Sequence, residues 1–180
     1  DGIETNFPTE FRTRETADLF LVLVMELLKD GGRAAIVLPD GTLFGEGIKT
    51  KIKRRLIEEC NLHTIVRLSN GVFSPYTGIK TNLLFFTKGE PTKEIWFYEH
   101  RVPEGQKAYS MTKPIRLEHL APCVDWWGGT SRKGRVETDV AWAVTADEVK
   151  ERGYNLDIKN PHVVAQENED PEKLLRRLDE

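Results

Sequence analysis

The chain has 180 residues, 39% of them apolar and 31% charged, with a formal net charge of −3. That profile belongs to a soluble globular protein with length for one ordinary domain, and it excludes a disordered chain. The acidic balance excludes binding to nucleic acid by overall charge, so any such contact is local or is completed by other parts. No run approaches the roughly 18 apolar residues of a membrane span.

Residues 1–13 read as loop, polar and acidic at the start with no initiator Met, which suggests a piece of a longer protein. Residues 15–29 place Ala17, Phe20, Leu21, Val24, Leu27 and Leu28 at helical spacing, a wide stripe thickened by Val22 and Leu23. Asp30-Gly31-Gly32 ends that helix, since glycine takes the left-handed cap conformation freely. Residues 34–38 form a short continuous apolar run, the pattern of a strand buried on both faces. Pro39-Asp40-Gly41 stops it. Residues 41–47 (GTLFGEG) have the wrong spacing for a dinucleotide fingerprint. They read as a flexible loop at a strand's carboxyl end, either a lid or a plain connector.

Residues 46–60 predict a helix that buries Ile48, Ile52, Leu56 and Ile57. Residues 62–68, 81–87 and 94–98 predict strands, the last two joined as an antiparallel hairpin by Lys88-Gly89-Glu90-Pro91. Residues 100–113 are irregular, residues 116–120 make one helical turn, and residues 125–139 form a loop holding Trp126 and Trp127. Thr145-Ala146-Asp147-Glu148 is a capping box, and the short helix it opens ends near Gly153. Residues 155–160 are extended, and a last acidic helix covers residues 171–178. Helix–strand–helix–strand alternation argues for a parallel α/β core. A half sheet would leave an apolar edge beside residues 34–38. The chain therefore implies either a missing N-terminal half or association between copies.

Chemistry is sparse. Walker-type, Gly-x-Ser-x-Gly and His-Glu-x-x-His motifs are absent. Cys60 and Cys123 lie far apart and fit two reduced thiols of a cytoplasmic protein. His63, inside a strand, reads as structural. Lys49, Lys51, Lys53, Arg54 and Arg55 are five cations within seven residues, either a solvated helix face or a phosphate contact. Ser131-Arg132-Lys133-Gly134-Arg135 is a basic loop, and loops project toward ligands. Phe73 sits in a turn-rich stretch beside Ser74-Pro75-Tyr76. It is either tucked against the core or a stacking platform for an unpaired base. Lys80 and Thr81 follow it and can reach a phosphate or a base edge. Trp126, Trp127 and Trp142 read as packing residues.

Three stretches together carry a resemblance: residues 17–43 (ADLFLVLVMELLKDGGRAAIVLPDGTL), residues 63–88, and residues 153–160 (GYNLDIKN). The chain resembles, from about residue 6 to about residue 161, the modification subunit of type I restriction-modification systems, an adenine-specific DNA methyltransferase. The resemblance implies the C-terminal half of a Rossmann-like sheet dependent on S-adenosylmethionine, with an antiparallel hairpin and an irregular C-terminal extension. It implies three parts: residues 1–100 from the catalytic domain, residues 101–165 completing it, and residues 166–180 as an acidic tail with a short helix.

In that family an Asn/Asp-Pro-Pro-aromatic loop holds the amino group of a flipped adenine, and an earlier glycine-rich loop holds the methyl donor. Neither occurs here, so the resemblance implies no catalytic residue in this chain and no activity of the chain alone. It assigns Phe73 to stacking on the flipped base and Phe20 to the donor's adenine ring. Pro39-Asp40 then closes a strand beside the active cleft. Tyr76, Lys80, Thr81, Arg132 and Lys133 are the DNA-contact candidates. The implied partners are DNA, a specificity subunit and a restriction subunit, with no membrane and no metal. Two other readings stay open: a non-catalytic partner- or nucleic-acid-binding module, and a methyltransferase acting on RNA.

Overall fold

The computed structural model describes residues 2–163; the expected acidic tail and its helix lie outside the described residues. Helix α1 (Thr16–Leu27) leads to strand β1 (Arg33–Pro39), short helix α2 (Asp40–Phe44) and helix α3 (Ile48–Glu59). Strands β2 (Cys60–Arg67), β3 (Thr81–Lys88) and β4 (Glu94–Glu99) follow. Helix α4 (Ala121–Trp126), strand β5 (Ala141–Thr145) and helix α5 (Ala146–Glu151) complete the described chain.

The five strands make one mixed sheet in the order β1-β3-β2-β4-β5. β3 runs antiparallel between β1 and β2, β4 lies parallel to β2, and β5 runs antiparallel to β4. The expected hairpin of residues 81–87 with residues 94–98 does not form. The antiparallel hairpin is β2–β3 instead, joined by the long loop that carries Phe73. Burial explains the choice. β3 is apolar on both faces: Leu84 and Phe86 enter the main core, while Leu83 and Phe85 pack on a second cluster. Such a strand belongs in a sheet's interior.

β1 departs from its expected burial on both faces. It is the edge strand, with Ala35 and Val37 exposed and Leu38 buried. Helix α1 stops four residues before Gly31 and turns a different face inward: Leu19, Leu21, Val22 and Met25 with the carboxylate of Asp18. Phe20, Leu23 and Leu27 of the expected stripe point to solvent. The inward face is set by α3, whose Ile52, Leu56 and Ile57 are buried in the same core. The expected flexible loop at residues 41–47 is largely helix α2, and β5 is a strand that the sequence pattern hides. The capping box forms as expected, with the Glu148 amide on Thr145 Oγ1 at 3.2 Å and the Thr145 amide on Glu148 Oε2 at 2.8 Å.

Candidate functional site: a cleft at the strand ends

β1, β2 and β4 all point their carboxyl ends the same way, which is where open α/β sheets keep their ligands. A cleft of about 960 Å³ opens there. Asp40, Arg67, Asn82, Glu99, Asp157 and Asn160 are the polar side chains that organise it. Asn82 Nδ2 donates to Asp40 Oδ1 at 2.6 Å, and Arg67 Nη2 lies 3.8 Å from the same oxygen. Arg67 also binds Asp157 at 2.6 Å and the Ile158 carbonyl at 3.1 Å. Asn160 donates to Glu99 Oε2 at 2.9 Å and to the Asp139 carbonyl at 2.8 Å. The three carboxylates of the cleft are therefore occupied by partners within the chain. Asn82 Oδ1 and Trp142 Nε1, both buried on residues that line the cleft, have no protein partner.

Asn70 and Lys80, which bracket the Phe73-bearing segment of the β2–β3 loop, line the cleft. Between them residues 71–79 form turns: the Tyr76 and Thr77 amides both donate to the Phe73 carbonyl, at 2.9 and 3.2 Å. Phe73 is 39% exposed and Tyr76 92% exposed. Thr81 is buried at the start of β3 and accepts the Leu68 amide through its carbonyl at 3.0 Å. The loop is buttressed from below by Tyr109. Its amide donates to the Asn70 carbonyl at 3.1 Å, and its hydroxyl meets His100 Nε2 at 2.7 Å. Gly71 has φ +80°, and a Cβ there would collide with the Tyr109 carbonyl. Burial, aided by His119, pushes the His100 imidazole toward its neutral form.

The basic helix face is mostly not a free surface. Lys49 pairs with buried Asp18 at 2.6 Å, and Thr42 Oγ1 donates to the other Asp18 oxygen at 2.8 Å. Arg55 holds Glu26 and Glu59, and Arg54 stacks over Tyr154. Lys53 is fully buried and donates to the carbonyls of Leu43 and Gly45 at 2.6 and 2.8 Å. Burial, then the nearby Lys49 charge, lowers its pKa to about 8.

Arg132 and Lys133 are not brought to the cleft. Their loop packs over the second face of the sheet, where Arg135 lies between the rings of Trp126 and Trp127, 4.7 Å from each centroid. Arg135 also donates to Thr64 Oγ1 at 2.9 Å. His63 meets Thr64 Oγ1 at 2.8 Å and the edge of Trp127, and burial pushes its pKa down to about 4. Trp142 stacks on Phe97. These residues pack, as the sequence indicates for His63 and the tryptophans. Phe20 is 56% exposed on α1 and lies outside the cleft lining.

Sequence reasoning missed Arg67, Asn82 and Asp157. For the first two a signal existed: a charge or an amide inside an apolar strand is costly unless partnered. Lys107 and Lys159, in irregular segments, carried none.

A mixed α/β sheet with an antiparallel strand beside its edge and a cleft at the strand ends defines the class as an open α/β fold with its site at the strand ends. The N-6 DNA methylase family matches residues 4–170, and the chain belongs to that family. It is 63% identical over 177 residues to the type I restriction enzyme EcoEI methylase subunit of Escherichia coli, covering 97% of this chain and 36% of that one. It is 36% identical to the EcoKI methylase subunit of Escherichia coli K12 over 140 residues, covering 73% of this chain and 26% of that one. A solved chain from a type I restriction-modification system superimposes with TM-score 0.84 at 40% identity, covering 99% of this chain and 38% of that one. The chain thus spans between about a quarter and two fifths of the length of these relatives. Among the described residues no helix is long and apolar enough to cross a membrane, and no cluster of potential ligands could hold a metal.

Proposed function

We propose that this chain is the later part of the catalytic domain of a type I restriction-modification methylase subunit. The whole subunit transfers a methyl group from S-adenosylmethionine to the N6 amino group of adenine in DNA. It acts with a specificity subunit that selects the sequence and a restriction subunit that cuts. The observation that carries the reading is the cleft at the strand ends, bordered by a braced loop that presents the half-exposed ring of Phe73.

The described residues do not make a site for the methyl donor by themselves. Phe20 offers one exposed ring, but no glycine-rich turn cradles a ligand. At Gly45, in the richest such stretch, a Cβ would collide with the Lys49 side chain, so the space is filled by protein. On this reading donor binding falls mainly to other parts of the subunit, as does the proton chemistry at the amino group. This chain's share is to receive the extruded base on Phe73, with Tyr76 and Lys80 toward the flanking DNA, while Thr81, buried at the start of β3, anchors the end of the loop. Arg132 and Lys133, on the far face, would touch DNA only outside the cleft.

The test is transfer of a labelled methyl group by the full-length subunit assembled with its specificity subunit. Label should enter adenine of duplex DNA and not an RNA of the same sequence. No transfer to DNA, or preferential transfer to RNA, overturns the reading.

A further inference from the structure

We infer that the cleft is a binding track for the sugar-phosphate backbone of DNA, with Lys80, Lys107 and Lys159 as its phosphate contacts; this rests on the reading of the chain as part of a DNA methylase.

Three separate segments deliver these lysines to one cleft: the end of the β2–β3 loop, the connection after β4, and the extended stretch after α5. All three are exposed. Among the described residues none has an ion-pair partner, whereas Lys49, Arg55, Arg67 and Arg101 all have one. The contrast lies in how the carboxylates are used. Asp40, Glu99 and Asp157 are the acids of the cleft, and each is engaged by Asn82, Asn160 or Arg67. The lining holds five Lys and Arg residues against those three acids, a positive surplus in a chain whose net charge is −3. Segregation of that kind focuses positive potential in a concave surface, which suits a polyanion.

Geometry names the polyanion. An open cleft of about 960 Å³ with cations along its rim fits an extended chain of phosphates better than one compact anion. Among the described residues that line the cleft, no arginine fork is free to grip a single phosphate: Arg67 is taken by Asp157 and Arg101 by Asp139. Lysines serve as point charges for a backbone. Lys80 ends the Phe73 loop, so the track begins where the extruded base would leave the duplex. The cleft floor presents an unpartnered acceptor on Asn82 and an unpartnered donor on Trp142, both on fully buried residues. Both atoms lie beneath the accessible surface of the cleft, so neither touches a backbone phosphate directly.

The experiment is the salt dependence of DNA binding by the full-length subunit with its specificity subunit. It compares wild type with K107Q/K159Q and with K107R/K159R. Two lost phosphate contacts should lower the slope of log affinity against log salt by about 2 and weaken binding roughly 10- to 30-fold near physiological salt. The loss should be the same for every DNA sequence, the arginine pair should restore the wild-type slope, and thermal unfolding should be unchanged in both variants. Wild-type DNA binding with an unchanged slope in K107Q/K159Q overturns the track and leaves the methylase reading intact. A slope that K107R/K159R does not restore, or a loss confined to one sequence, also overturns it. A wild-type assembly that binds no DNA overturns the methylase reading and the track together.

Discussion

Arg67 Nη2 lies 2.6 Å from Asp157 Oδ1, joining residues 90 positions apart at the carboxyl end of β2. The same guanidinium holds the Ile158 carbonyl at 3.1 Å and faces Asp40 at 3.8 Å. One side chain therefore ties the segment after α5 to the strand ends and to the start of α2. Both partners are mostly shielded, 18% and 31% exposed, so the pair is stronger than a surface ion pair.

Arg67→Ala should cost about 2 kcal/mol, the range for a charge-assisted hydrogen bond with its partner left behind. The loss should be local first. Hydrogen exchange of the full-length subunit should show faster exchange in residues 155–160, with the amides of α3 unchanged. Equal protection in both proteins would show that Leu156, whose amide donates to the Leu43 carbonyl at 3.0 Å, holds the segment unaided.

Lys53 makes stability depend on alkaline pH. Its pKa falls from 10.5 unfolded to about 8 folded, because burial and Lys49 disfavour the ammonium. Between those values the unfolded chain holds a proton that the folded chain has released. Stability therefore rises with pH through this window, by up to about 3 kcal/mol for a shift of that size. The neutral amine keeps two N–H groups for the Leu43 and Gly45 carbonyls. Chemical unfolding of wild type and Lys53→Met across pH 8 to 10.5 should give curves that diverge as pH rises. Parallel curves would mean that the amine stays charged in the fold.

How far these features could be read from the sequence depends on whether the signal is local. The capping box at Thr145 and the turn at Gly153 are local, and they hold; the glycine cap expected at residues 31–32 does not, because α1 ends at Leu27. Helices α1 and α3 and four of the strands follow from periodicity, whereas α2 and α4 carry no such signal. Strand pairing does not: β3 leaves β4 for the space between β1 and β2 because Leu83, Leu84, Phe85 and Phe86 need cover on both faces. Helix α1 shows the same limit. Its stripe admits two faces, and tertiary packing selects the one with Asp18, which meets Lys49 and Thr42 on distant elements. The five cations of α3 look alike in sequence, yet the fold buries Lys53, pairs Lys49 and Arg55, and leaves Lys51 exposed.

Gly71 should be the loop position least tolerant of change. It combines φ +80° with direct contact against the Tyr109 carbonyl. Gly71→Ala adds left-handed strain and a backbone clash, together about 2 kcal/mol or more. The loop has few other anchors, so it should shift before the domain unfolds. The expected outcome is methyl transfer reduced at least tenfold, at a thermal unfolding temperature lowered by only a few degrees. Full activity would show that the loop's placement does not depend on this contact.

The proposed stacking of Phe73 makes a prediction separable from loop placement. Removing the ring while keeping Gly71 and Tyr109 should leave the loop where it is. Phe73→Ala should then weaken binding of the full-length assembly to DNA with an already unpaired target adenine by roughly 1–3 kcal/mol, the worth of one stacked base. Affinity for non-specific duplex, where no base is extruded, should stay the same. Phe73→Trp should restore much of the loss, because any aromatic face can stack. Tyr76→Ala offers the comparison. Its ring is 92% exposed, so its removal should matter less. Equal affinity for the unpaired target in wild type and Phe73→Ala would reject the stacking role, leaving Phe73 as a loop aromatic and Tyr76 as the ring to examine.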